Sequence, residues 1–336
     1  MIRAFVRELC EVKTPDRKCG REFFVRNLHL TGGIVWNSTA LEDFAVKHEL
    51  NLCLLGGDMR QAHLARLLSE DGHRVHTFAL DQAVTPTPQL SLESDLTLLS
   101  LADAVILPMP VSGEGGLLFA PLGTEQVPLL NVLDALSPGQ FICGGRVDPA
   151  TDALAQERGL SLHDYYTREE LVVANCVPTA EGCIQLAMEH LPITIHNARV
   201  LVIGYGRLGR VTAQRFGALG AKVTVAARKY DQLAWARSEG FGTEHSGQLA
   251  GWLCSYDLVV NTVPALVLGE TELADLHPDC LVIDLASKPG GVDFQTAQRL
   301  NRKVIWALAL PGKVAPVTAG AIIKLTIYHM LHERGF

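Results

Sequence analysis

The 336-residue sequence contains eight cysteines but no Cys-x-x-Cys pair; they fall at positions 10, 19, 53, 143, 176, 183, 254 and 280. Without that spacing a zinc ribbon or redox dithiol is excluded. Several of the cysteines sit in apolar, strand-like runs, as buried reduced thiols do. Basic charge is also scarce. Lys and Arg number 29 against 36 Asp and Glu, a net charge of −7, which excludes a general nucleic-acid surface. No apolar run approaches the roughly 20 residues needed to span a bilayer, and residues 1–30 lack the continuous apolar core of a secretory signal. These absences predict a soluble cytoplasmic protein with no nucleic-acid or membrane partner and no bound metal.

The glycines, by contrast, carry a pattern. The run Ala198 to Ile203 ends in Gly204-Tyr205-Gly206-Arg207-Leu208-Gly209, and a helical pattern with Val211, Phe216 and Leu219 follows. That is a buried strand, a tight turn and the first turn of a helix. Gly204 permits the turn, Gly206 lets a pyrophosphate approach the backbone, and Gly209 lets helix and strand pack closely. The free N–H groups and positive dipole end of the helix then face the phosphates. A second strand, Lys222 to Ala227, follows at the required distance and ends in Arg228-Lys229 with no carboxylate. An acidic residue there would bond the ribose 2′-OH, whereas cations suit a 2′-phosphate. NADP is preferred over NAD.

The length allows two domains, and the same plan recurs upstream at an offset of 148. Gly56 matches Gly204, Gly72 matches Gly220, and Val75 matches Val223. Ala102 to Pro110 likewise resembles Ser255 to Pro264. The fold class is therefore α/β, with two Rossmann-like, doubly wound parallel-sheet domains. The two units are not equivalent. Asp58 and Gln61 stand where Gly206 and Gly209 stand, and a carboxylate in that place repels a pyrophosphate. The first unit becomes the substrate side.

The domain boundaries follow. Residues 1–47 form a basic, peripheral extension, with seven Lys/Arg against four Asp/Glu in the first 40. Of three readings, a disordered basic arm, a small partner-binding extension and an upstream stretch not normally translated, the last two together are favoured over any catalytic role. Residues 48–176 form the substrate-side domain, joined by the C-terminal helix 314–336, and residues 177–313 the cofactor domain. Pro178 suits a helix start, opening a linking helix through Ile184, Leu186, Ala187 and Met188. Asn175, Thr179 and Glu181 cluster at its mouth, either as caps or lining the cleft between domains. Further on, Thr262-Val263-Pro264 would pass the cofactor at the end of one strand, and Ala286-Ser287 at the end of the next. Ile305 to Leu310 reads as the last strand. The apolar helix Ala321 to Leu331 returns to the first domain.

With these segments in hand the chain resembles the A-subunit family of dipicolinate synthase. The resemblance rests on Gly56-Gly-Asp-x-Arg60-Gln61, on Asp164-Tyr-Tyr166 through Pro178-Thr-Ala-Glu-Gly182, and on the glycine turn at Gly204–Gly209. It rests further on Ser287-Lys-Pro-Gly-Gly-Val-Asp-Phe294 with Leu310-Pro-Gly-Lys-Val-Ala-Pro-x-Thr-Ala-Gly320. It covers about residues 50–332. The segment Ala307-Leu308-Ala309 departs from it, because the family tends to show a Pro-Gly pair there. The resemblance implies the architecture of alanine dehydrogenase and the 2-hydroxyacid dehydrogenases. It also implies NADP as electron carrier, partnership with a flavoprotein-like B subunit of dipicolinate synthase, and a heteromeric complex in the mother-cell cytoplasm during sporulation. A homodimer within that complex is compatible with it. The implied oxidoreductase reaction is oxidation of dihydrodipicolinate, formed by dehydration of a hydroxy-tetrahydro precursor.

A dicarboxylate needs cations, bidentate Arg being best. Arg60 and Lys313 are the first candidates, followed by Arg146, Lys288 and Arg168. Asp58, Glu181, His63 and His163 are candidates for the base, and Asn175 and Thr179 join the site from the linking segment. Two other readings remain open: an amino-acid or 2-hydroxyacid dehydrogenase acting alone, and a non-catalytic NADP-sensing subunit.

Overall fold

The computed structural model describes residues 48–336, and the N-terminal extension, with Cys10 and Cys19, lies outside them. Among the described residues the short apolar runs form two six-stranded sheets. The first contains β1 (Asn51–Leu55), β2 (Arg74–Phe78), β3 (Leu90–Glu93), β4 (Ala104–Ile106), β5 (Phe141–Gly144) and β6 (Leu162–Asp164), in the order β3-β2-β1-β4-β5-β6. The second contains β7 (Arg199–Ile203), β8 (Lys222–Ala227), β9 (Gly242–His245), β10 (Leu258–Asn261), β11 (Leu281–Asp284) and β12 (Lys303–Trp306), in the order β12-β11-β10-β7-β8-β9. All neighbours are parallel. The orders are the same, and each reverses beside its first strand, between β1 and β4 and between β7 and β10. Doubly wound sheets bind ligands at that switch point.

The helices are α1 (Met59–Glu70), α2 (Leu129–Asp134), α3 (Pro149–Gln156), α4 (Glu169–His190), α5 (Arg207–Ala218), α6 (Tyr230–Ser238), α7 (Glu270–Asp275), α8 (Phe294–Arg299), α9 (Leu310–Val314) and α10 (Pro316–His332). The central strands are largely apolar because helices cover both faces of each sheet. Leu52 and Leu54 of β1 join one core and Cys53 and Leu55 another. In β7, Val200 and Val202 face one way, Leu201 and Ile203 the other. Burial explains the thiols too. Cys53, Cys143, Cys176, Cys183 and Cys280 are all buried and free, and burial pushes the Cys53 thiol up to about 12.

Helix α10 returns as expected and completes the first domain. Ile323, Ile327, Tyr328 and Leu331 share a core with Leu52, Leu54 and Leu64. Close approach to α1 depends on Gly320, where an added Cβ would lie 2.9 Å from the Arg60 carbonyl oxygen and 3.1 Å from the Leu64 nitrogen. The far end of α10 is held by charge, the Arg168 guanidinium donating to both carboxylate oxygens of Glu333 at 2.6 and 2.8 Å.

Four expectations need correction. Pro178 does not start the linking helix: α4 begins at Glu169 and runs 22 residues with Pro178 inside. Its acidic first turn, Glu169 and Glu170, suits a helix N-terminus, and Pro178 only removes one donor from a helix already nucleated. In consequence α4 is long and apolar enough, by length and composition, to cross a membrane, contrary to the reading that no run was. Its apolarity has a structural use here, since Leu171 enters the core of the first domain and Cys183 and Ala187 that of the second. Third, the last strand is Lys303–Trp306; Leu310 opens α9 instead, after a left-handed Ala309 that ends the extended run. Fourth, Leu219 is not on the buried face of α5 but is its exposed C-cap residue.

Candidate active site

The two glycine turns sit at equivalent places, each linking the first strand of its sheet to a 12-residue helix. Their N-caps share one backbone conformation: Asp58 has φ −94° and ψ −166°, Gly206 has φ −82° and ψ −161°. Their chemistry is opposite. The Asp58 carboxylate accepts from the Arg60 N–H at 3.0 Å and pairs with the Arg60 guanidinium at 2.8 Å through both Nε and Nη2. The α1 N-terminus is therefore capped by its own anion. At α5 no side chain caps the helix, and a Cβ added to Gly206 would meet nothing within 4 Å. Orphan N–H groups and a positive dipole end with open space before them make an anion site.

The remaining turn residues bear out the packing argument. A Cβ on Gly209 would fall on the Gly204 carbonyl, so only glycine lets α5 lie this close to β7. At the equivalent place in the first domain Gln61 is buried and donates to the Ile106 carbonyl at 3.1 Å. Tyr205 is 1% exposed, with its ring edge-on to Phe241, so only its backbone faces the turn. Arg207 is exposed and bonds Glu169 of α4 at 2.6 Å. Leu208 is half-buried against the second core.

The strand ends beside the turn are braced from within. The Thr262 hydroxyl donates to the Ile203 carbonyl at 2.9 Å. Asp284 is completely buried at the end of β11; it accepts from Asn261 Nδ2 at 2.7 Å, Ala286 N–H at 3.0 Å and Gly291 N–H at 2.8 Å. This buried carboxylate ties Thr262-Val263-Pro264 to the Ala286-Ser287 loop. Sequence reasoning passed over it, although a lone Asp inside an apolar strand is a signal that could have found it. Pro264 and Ser287 are exposed, Ala227 and Ala286 buried. Arg228 and Lys229 extend from β8 exposed, with no ion pair among the described residues.

On the other side, the structure gathers part of the predicted set. Arg60 touches α9, since a Cβ on Gly312 would lie 3.0 Å from Arg60 Nε and 3.2 Å from Asp58 Oδ2. Lys313, exposed, is the next residue. Gly182 of α4 packs on Leu310 and Val314 of the same helix. Thus α9 touches α1 at Asp58 and Arg60, and touches α4 at Gly182. Asn175, Thr179 and Glu181 lie inside α4, so the capping alternative is withdrawn. Thr179 donates to the Asn175 carbonyl at 2.7 Å, the Asn175 side-chain oxygen is buried without a partner among the described residues, and Glu181 is exposed.

The other candidate side chains differ in their surroundings. Arg168 is bound by Glu170 and Glu333, and Lys288 is exposed on a loop. Arg146 stacks over Tyr166 at 5.8 Å. His63 lies against Gly320 of α10, and burial with the nearby Arg66 lowers its pKa. His163 stacks on Phe141 and meets Arg334; burial and that guanidinium lower its pKa.

Comparison with known proteins now decides the family. The family model for the N-terminal domain of the dipicolinate synthase A subunit matches residues 51–166. The A subunit of dipicolinate synthase from Bacillus subtilis (strain 168) is 33% identical over 286 residues, which is 84% of this chain and 96% of that one. The chain belongs to the A-subunit family of dipicolinate synthase. The crystal structure of the B. subtilis A chain superposes with a TM-score of 0.78 at 32% identity, covering 86% of this chain and 98% of that one. The A subunit from Bacillus halodurans gives 0.78 at 32%, covering 84% and 99%. An L-alanine dehydrogenase, 12% identical, shares the fold with a TM-score of 0.56 over 83% and 88% of the two chains. The segment departing from the dipicolinate synthase pattern has a conformational counterpart here. Ala309 holds φ +58°, where glycine would be unstrained.

Proposed function

We propose that the turn at Gly204–Gly209 binds NADP and that the chain oxidises dihydrodipicolinate to dipicolinate together with the flavoprotein-like B subunit. The observation carrying this reading is the asymmetry of the two turns, one helix end filled by Asp58 and the other bare at Gly206. Residues 177–313 are then the NADP domain, and residues 48–176 with 314–336 the substrate side. The cations Arg228 and Lys229, without an ion pair among the described residues, favour a 2′-phosphate over a free ribose hydroxyl.

The nicotinamide supplies a two-electron acceptor, so that dihydrodipicolinate and NADP⁺ give dipicolinate, NADPH and a proton. The chain must hold the ring against that acceptor and manage charge. Asp58 holds the Arg60 guanidinium in place, leaving Nη1 to take one carboxylate, and Lys313 on the adjoining helix takes the other. Asn175 and Thr179 flank the ring, and Glu181, which has no ion pair among the described residues, accepts the proton. The enzyme works in the cytoplasm of the sporulating mother cell.

The test follows NADPH formation from dihydrodipicolinate with and without a candidate flavoprotein-like partner. Formation that requires both proteins is expected. Oxidation of a small hydroxy or amino acid by this chain alone would replace the reading with a simple dehydrogenase. Binding of NADP without turnover, whatever the partner, would give it a sensing role instead.

A further inference from the structure

Beside Arg228 and Lys229 stands a residue on the neighbouring strand. His245 ends β9 and pairs in register with Ala227 of β8. Its Nε2 lies 3.1 Å from the Arg228 carbonyl, and its Nδ1 lies 3.2 Å from the Gly247 N–H. A backbone N–H can only donate, so Nδ1 accepts and Nε2 carries the proton. The ring is further braced by Tyr230, the first residue of α6, at 5.6 Å between centroids. The imidazole thus holds one peptide, Arg228–Lys229, by its oxygen.

That contact has a directional consequence. The two ends of a trans peptide point in opposite directions. Strand β8 lies between β9 and β7 in the sheet. With the Arg228 carbonyl turned to His245 on the β9 side, the Lys229 N–H turns to the β7 side, where the Gly204–Gly209 turn stands. The Lys229 N–H makes no hydrogen bond among the described residues, and Lys229 N-caps α6 without a side-chain cap. Were the peptide free to flip, its carbonyl oxygen would face that side instead, repelling an anion.

We infer that His245 is a positioning residue for the ribose 2′-phosphate of NADP, setting the Arg228–Lys229 peptide with its donor toward the phosphate. This inference rests on the NADP reading above. It adds a specificity element on β9, outside the glycine turn and the two cations.

The experiment compares NADPH and NADH affinities by fluorescence titration for the full chain and three variants. His245→Ala lowers NADPH affinity about tenfold, the loss of one hydrogen bond to a charged group, and leaves NADH affinity unchanged. His245→Gln, whose amide N–H reaches the place of Nε2–H, restores NADPH binding. His245→Asn is too short to reach the Arg228 carbonyl and does not. A residue that merely supports the fold would move both affinities together and be rescued by neither amide selectively; parallel losses, or unchanged NADPH affinity in His245→Ala, overturn the inference. The wild-type ratio separates the two levels, because a wild-type preference for NADH overturns the NADP reading itself before any variant is compared.

Discussion

Replacing Gly206 by aspartate would turn the second turn into a copy of the first. Two observations make the change sterically free: no heavy atom lies within 4 Å of an added Cβ, and the backbone conformation at Gly206 is already the one Asp58 adopts. The new carboxylate would cap α5 and face its dipole, which stabilises a helix by about 0.3–1 kcal/mol. For the dinucleotide the same group is an obstacle. A unit charge about 4 Å from one phosphate charge costs about 4 kcal/mol at an effective dielectric near 20, and about 1.4 kcal/mol is tenfold in affinity. Solvent screening reduces this, leaving a loss of at least about a hundredfold. Gly206→Asp should therefore unfold at an equal or slightly higher temperature while NADPH affinity collapses, read by thermal melting and fluorescence titration on the same samples. Opposite signs are the point, since ordinary steric damage lowers both. NADPH binding within a few-fold of wild type would refute the claim that the bare cap receives the pyrophosphate.

Three further outcomes follow from other parts of the molecule. Arg228→Asp should move cofactor preference from NADP toward NAD, read as the ratio of the two dissociation constants; an unmoved ratio removes the 2′-phosphate argument. At Asp148, burial opposes ionisation, but the hydroxyls of Ser112 and Thr151 and the N–H groups of Thr151 and Ala150 outweigh it and hold the carboxyl at about 2. A carboxyl depressed by folding stabilises above its unfolded value of 3.8 and loses that contribution as pH falls through about 2. Asp148→Asn should thus flatten the acid limb of a stability-versus-pH curve, and parallel limbs would count against the network. Ala309→Gly should raise stability by about 0.5–1 kcal/mol, because Ala309 sits at φ +58° where a Cβ is strained; a lower denaturation midpoint would show that no strain is stored there.

Much of this molecule was legible in local patterns. The strand β8 was readable to the residue, and the repeat at offset 148 carried the twin-sheet architecture, because a parallel strand between helices must be largely apolar. The unlike chemistry of Asp58 and Gly206 was visible too, since a cap acts within one turn of its own helix. What escaped was whatever depended on partners distant in sequence. β3, β6 and β9 are short edge strands recognisable only by the neighbours that pair with them. Pro178 looked like a beginning because a proline at a first helical position and one inside a helix differ only in what lies upstream.

Chain chemistry by itself thus determined the class of the fold, the glycine turn and which turn keeps an open helix end, all of them consequences of neighbours a few residues apart. Tertiary structure alone decided that Arg60 meets α9, that Asp284 braces two strand ends, and that His245 grips the Arg228 carbonyl. These contacts join residues 17 to 252 positions apart, and their geometry follows from how helices and sheets pack rather than from any local spacing.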